Sequence, residues 1–195
     1  MNKYSSNISV FLNLIGIRYW TASILPALVG TTLPFWLNPS GFKFKLITAI
    51  LFLIATLFGH VGFILMHVGF TQKANSNWTK KQIFILGIFS LIVSILIGLH
   101  LNSSLQLHNN VPWYIFIVYG ISIIFIGMLY VSPPFSFYRR AFGEVIICVG
   151  LGMLPVLGAY LVQVGDLTRT VYLASLPIVI STGLWLWIIE LIRVW

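Results

Sequence analysis

Acidic residues are the scarcest feature of this sequence. Glu144, Asp166 and Glu190 are the only three in 195 residues, and none occurs between Met1 and Gly143. Chemistry built on a carboxylate pair or an acidic metal cluster therefore has no material over most of the chain. Charge of either sign is thin: 7% of residues are charged, against about 25% in a soluble domain. The surface facing water must be correspondingly small. The single cysteine, Cys148, excludes an internal disulfide and says nothing of the redox compartment. There is no low-complexity tract and no clear internal repeat. The inverted repeat or ring of charges expected of a small transporter or channel is also missing.

What is present is apolar: 59% hydrophobic residues and a mean hydropathy of +1.00. A helix of about 20 apolar residues crosses the roughly 30 Å hydrocarbon core, and the chain has room for six. Apolar runs and breakers place them at about residues 10–37, 46–70, 83–101, 113–131, 142–163 and 171–192. The Asn38-Pro39-Ser40-Gly41 turn ends the first and Ser132-Pro133-Pro134 the fourth. Polar loops are expected over 71–81 and 102–110. The expected fold is all-α, a polytopic membrane helix bundle, with residues 1–195 as one integral membrane domain. The first run is too long for a signal-peptide core and carries Arg18 inside it, so a cleaved leader is not expected.

Eleven Lys and Arg against three acids give a net charge of +8. In a soluble protein that balance points to nucleic acid. Here the basic residues flank apolar spans, so anionic headgroups and the positive-inside rule explain them, and no nucleic-acid partner is expected. With the N-terminus inside, Lys3, Lys73, Lys80, Lys81, Arg139, Arg140 and Arg193 share one side. Lys43, Lys45 and Arg169 share the other. The expected location is a cell or inner membrane with both termini cytoplasmic.

Several stretches resemble one family. They are Tyr130 to Glu144 (YVSPPFSFYRRAFGE) and Gly150 to Gly165 (GLGMLPVLGAYLVQVG). Arg18-Tyr-Trp-Thr21 with Leu25-Pro26 and Gly30, and Ser175-Leu-Pro177, fall in the same order. Together they resemble the UbiA superfamily of intramembrane prenyltransferases, especially the 1,4-dihydroxy-2-naphthoate polyprenyltransferase branch of menaquinone synthesis. The resemblance implies a helix bundle around a central cavity. It also implies transfer of a polyprenyl group from its diphosphate to an aromatic or quinone-precursor acceptor. In that family, aspartate-rich cytoplasmic loops hold Mg²⁺ against the diphosphate, because the leaving charge must be met by divalent metal and basic groups.

The sequence departs from the pattern where that chemistry sits. At the end of the second span His67 stands where the motif has Asn, Val68 where it has the first Asp, and Thr71 where it has the second. The second motif falls at the chain end, where Glu190 matches a family Glu and Arg193 falls on an expected Asp. Mg²⁺ is thus implied by the resemblance while its ligands are not there. The expected object is a partial UbiA-type bundle, truncated or degenerate. One function is that of a UbiA-like prenyltransferase whose missing carboxylates are supplied by a partner subunit or replaced by another mechanism. The alternative is a non-catalytic membrane subunit or pseudoenzyme that binds a polyprenyl diphosphate or quinone-type lipid.

The candidate substrate-binding residues are Arg18, His67, Tyr130, Arg139, Arg140 and Glu144, with no catalytic or metal residue assigned. Each has a plainer reading beside it. Arg18 either snorkels to the interface with Trp20 as anchor or faces the cavity. Arg139 and Arg140 either satisfy the positive-inside rule or fork onto a diphosphate. Glu144 suits a helix N-terminus and pairs with Arg139 or Arg140, or orients substrate. Tyr130 is an interface residue or touches substrate. His60 and His67, seven apart, share a helix face about 10 Å apart, too far for one metal and suited to hydrogen bonds with other helices. Gly150, Gly152 and Gly158 are expected to let helices approach closely, and Pro155 to kink its helix.

Overall fold

The computed structural model describes residues 15–37, 42–71, 78–109, 112–137 and 143–194, and the regular structure among them is all helix, with no strand. Six helices follow one another: α1 (Thr21–Leu37), α2 (Leu46–Thr71), α3 (Lys80–Asn109), α4 (Trp113–Val131), α5 (Gly143–Val164) and α6 (Arg169–Val194). The five from α2 to α6 are long and apolar enough to cross a bilayer, and α1 is a shorter apolar helix. The protein is a polytopic membrane helix bundle. Its outer faces carry large exposed side chains such as Trp36 (82% exposed), Ile47 (74%) and Ile180 (64%). Lipid, not water, is the solvent in which such a surface costs nothing.

Two boundaries differ from the sequence expectation. The first expected span is broken at Gly16, and its residues 10–14 lie outside the described residues. Gly16 takes a left-handed backbone (φ 64°), a 3₁₀ turn follows over Ile17–Tyr19, and α1 starts at Thr21. Only a residue without Cβ takes that conformation cheaply, so the apolar run conceals a break. The loop expected over 102–110 is instead the last two turns of α3, which runs to Asn109. No breaker interrupts it before Pro112. Leu101 and Leu105, four apart, are both buried in the main core, with Asn102 buried beside them. Tertiary burial thus overrides local polarity.

The other described breakers act as expected, while the Asn38–Gly41 turn lies outside the described residues. Ser132 is extended (ψ 144°) because it precedes Pro133, and α4 stops there. Gly165 closes α5 in the left-handed conformation (φ 88°), its N–H donating to Leu161 O at 2.7 Å. The irregularity in α5 is a π-helical stretch over Cys148–Met153, where Leu154 N–H donates to Val149 O, five residues back. It lies immediately before Pro155, whose missing N–H frees a carbonyl one turn earlier.

The second half of α5 is the centre of the molecule: every residue from Leu154 to Gln163 is buried. It packs on α1 above all, and also on α2, α3, α4 and α6. The most extensive helix–helix contact in the bundle is between α2 and α3. Gly62 and Gly87 let these backbones meet, a Cβ on Gly87 falling 3.0 Å from Gly62 O. Ser90 Oγ donates to Phe58 O at 2.7 Å and Ser94 Oγ to Ala55 O at 2.8 Å. Small residues and interhelical hydroxyl bonds stand in for the hydrophobic drive that lipid removes.

Candidate functional site

All six helices line a large, partly open cavity, about 1670 Å³ in volume, to which α1 contributes Ser23 and α6 contributes Trp185 and Trp187. Most of the wall is apolar. Pockets that enclose drug-sized molecules measure about 300–1,000 Å³, so this one has room for a longer ligand. Gly98 and Gly120 lie along it and leave space that side chains would take, whereas a Cβ on Gly127 would strike the Phe63 ring.

Polar side chains occur along the wall, Thr56, Ser94 and Asn102 among them. Because successive helices alternate in direction, the end of α2, the end of α4 and the start of α5 lie at one end of the bundle. Those segments bring His67, Thr71, Tyr130 and Glu144 onto the cavity wall. Three of the sequence candidates, His67, Tyr130 and Glu144, are thereby gathered at one mouth. Glu144, in the first turn of α5, accepts a hydrogen bond from Trp187 Nε1 at 3.0 Å. Arg18 belongs to the 3₁₀ turn whose other residues, Ile17 and Tyr19, line the same cavity. The side chain of Arg18, and Arg139 and Arg140 altogether, lie outside the described residues. The Glu144 pairing with Arg139 or Arg140 expected from sequence lies there too.

Deeper in, His60 and Ser23 form a buried pair across α2 and α1, Nδ1 to Oγ 3.1 Å. Tyr119 reaches from α4 to α5 and donates to Leu154 O at 2.5 Å. It does so above Gly158, where a Cβ would collide with the Tyr119 hydroxyl. Gly152 likewise lies against α6, with Val179 Cα 3.0 Å from the position of a Cβ. The expected role of an interhelical hydrogen-bonding group holds for His60, and that of a close-approach point holds for Gly152 and Gly158, while Gly150 meets only the Ile126 side chain, at 3.2 Å. Ser23 and Tyr119 were not singled out from sequence. The available signal was a polar side chain inside an apolar span, but its partner is a tertiary fact.

The mouth does not fit Mg²⁺. A hard cation of that size takes oxygen ligands in near-octahedral array. Here α2 ends in an imidazole, a valine and a threonine whose Oγ1 already donates to His67 O at 2.7 Å. Among the described residues no three of His, Cys, Asp or Glu come together as a metal site.

Fold and site together define a class, a membrane helix bundle around a lipid-sized cavity with one polar mouth. Compared with known proteins, the chain matches no protein-family model and no curated protein.

Proposed function

We propose that the protein is a UbiA-like membrane protein that holds an isoprenoid lipid, a polyprenyl diphosphate or a quinone-type lipid. The chain would lie in the cavity and the head at the mouth formed by His67, Tyr130 and Glu144. The single observation that carries this reading is the cavity itself: about 1670 Å³, mostly apolar, with those three residues at one end. The apolar wall favours an alkyl chain by roughly 25 cal/mol per Å² buried, and the polar end favours a head with oxygen atoms. We place that mouth and both termini on the cytoplasmic side, since Lys80 and Lys81 open α3 at the same end.

Prenyl transfer is the reaction of the family that the sequence resembles. Ionising an allylic diphosphate needs its leaving charge neutralised, and the carboxylates that do so elsewhere in the family are replaced here by Val68 and Thr71. The chain on its own is thus read as a binding protein. Transfer to an aromatic acceptor belongs to an assembly in which a membrane-protein partner brings the metal-holding carboxylates.

The test is photolabelling in nanodiscs with a farnesyl chain bearing a benzophenone. Peptides containing His67, Tyr130 and Glu144 should carry the label, and the lipid-facing peptide of Trp36 should not. His67→Ala with Tyr130→Phe should reduce labelling about tenfold. Label spread evenly over the outer faces would overturn the proposal. Added purified Asp-bearing prenyltransferase subunits would then show whether turnover appears only in the assembly.

A further inference from the structure

The hydrogen-bond count of α5 changes on the cavity wall, and the change leaves a carbonyl without a donor. Over the π-helical stretch Cys148–Met153 each N–H reaches back five residues, and the run ends with Leu154 N–H on Val149 O. The next N–H in that count would serve Gly150 O, but residue 155 is proline and has none. Val156 N–H follows, and it meets Leu151 O five residues back or Gly152 O four back. Gly150 O is beyond its reach on either count. Among the described residues no side chain donates to Gly150 O.

The missing bond lies on the cavity side of the helix. A helical carbonyl points along the axis toward the residue whose N–H it would accept. Gly150 and Pro155, the two ends of the missing bond, both line the cavity, and so does Leu151. No side chain on Gly150 shields the oxygen, and a Cβ there would meet only the Ile126 side chain, at 3.2 Å. At membrane depth an unpaired backbone group costs several kcal/mol, and irregular backbone is tolerated where it lines a cavity. Gly150 is six residues beyond Glu144, so its oxygen is about 9 Å deeper than the mouth.

A bare carbonyl asks for a donor. A quinone ring and an ionised diphosphate offer acceptor oxygens alone, and neither bonds to another acceptor. Around Gly150 the wall is apolar, with Ile126, Ile146, Ile147 and Leu151 lining it. That setting suits a single hydroxyl on an otherwise apolar molecule. We propose that the cavity takes an isoprenoid alcohol as a further ligand class, its hydroxyl donating to Gly150 O and its chain lying along the apolar wall. The proposal rests on the reading of the cavity as an isoprenoid site. Pro155, by withholding an N–H, is the specificity-determining residue.

The experiment uses the full chain in nanodiscs and two probes of equal length, geranylgeraniol and its methyl ether, which keeps the oxygen and lacks the donor. Affinity is read as the concentration that halves labelling by the benzophenone-bearing farnesyl chain. The alcohol should bind about tenfold more tightly than the ether. Pro155→Ala supplies an N–H for Gly150 O. Its affinities for the two probes should agree within about twofold, and its ligand-free melting temperature should equal or exceed that of wild type. Equal affinities in wild type overturn the carbonyl subsite and leave the isoprenoid cavity standing. A tenfold preference kept in Pro155→Ala overturns Gly150 O as the acceptor. Displacement by neither probe overturns both readings. Should Pro155→Ala not fold, the wild type decides by solid-state NMR. Carbon-13 glycine with nitrogen-15 leucine selects the Gly-Leu pairs that begin at Gly98, Gly150 and Gly183. The Gly150 carbonyl signal should move with the alcohol and stay with the ether. A signal that the alcohol does not move, as when water already occupies the oxygen, overturns the proposal.

Discussion

The side-chain amide of Gln163 pairs with both backbone groups of Lys45, 118 positions earlier in the chain. Lys45 N–H donates to Gln163 Oε1 at 3.0 Å, and Gln163 Nε2 donates to Lys45 O at 3.0 Å. Gln163 is 2% exposed. Lys45 immediately precedes α2, and its carbonyl also accepts the Ala49 N–H at 3.0 Å. One amide therefore completes the N-terminus of α2, where helix geometry leaves N–H groups unpaired, and fastens it to the end of the central helix α5.

That double bond should be measurable. Gln163→Leu keeps the volume and deletes both hydrogen bonds, leaving the Lys45 groups without these partners. The expected cost is about 2 kcal/mol, read as a lower melting temperature in detergent. Gln163→Asn, one methylene shorter, should lose nearly as much because it cannot span both groups. A melting temperature unchanged in Gln163→Leu would mean that the clamp contributes nothing to stability.

Two glycines should respond oppositely to the same substitution. A Cβ on Gly30 of α1 would strike the backbone oxygen of Val156 and lie 2.8 Å from Ala159 Cβ. Both belong to the buried half of α5, which has no room to retreat. Gly30→Ala should cost about 1–3 kcal/mol by overpacking. Gly120 of α4 has nothing within 4 Å of that position, so Gly120→Ala should be neutral or gain up to about 1 kcal/mol from helix propensity. Paired unfolding curves decide it; equal destabilisation by both would refute close backbone packing as the cause.

Much of this architecture was legible in the sequence because the bilayer imposes a simple rule. An apolar run must be a helix, and Pro112, the Ser132-Pro133 step and Gly165 end runs by backbone chemistry alone. The misplaced boundaries show where the rule fails. Gly16 sits inside an apolar run, so hydropathy does not reveal the break that its φ of 64° makes. Residues 102–109 read as polar, yet Leu101 and Leu105 hold them helical by contacts with other helices. The site divides the same way. His67, Tyr130 and Glu144 were found through residue type and a family resemblance, and the alternation of helix directions gathers them at one mouth. The pairing of His60 with Ser23, 37 residues apart, depends on how α1 lies against α2, and no local pattern encodes it.

The last prediction concerns magnesium. Diphosphate-metal chemistry needs two or more hard oxygens held near one another. The end of α2 offers instead the His67 ring, the Val68 side chain and the Thr71 hydroxyl, which is already bonded to His67 O. Geranylgeranyl diphosphate should therefore bind the wild-type protein with the same affinity in Mg²⁺ as in EDTA, within about twofold. Positions 68 and 71 are three apart on one helix and face the same way. Val68→Asp with Thr71→Asp would set two carboxylates side by side at the polar mouth. The double variant should gain about tenfold in diphosphate affinity on adding Mg²⁺ and lose that gain in EDTA. A wild-type affinity that falls tenfold in EDTA would show that the chain holds a metal by another donor set, and the case for binding without metal would fail.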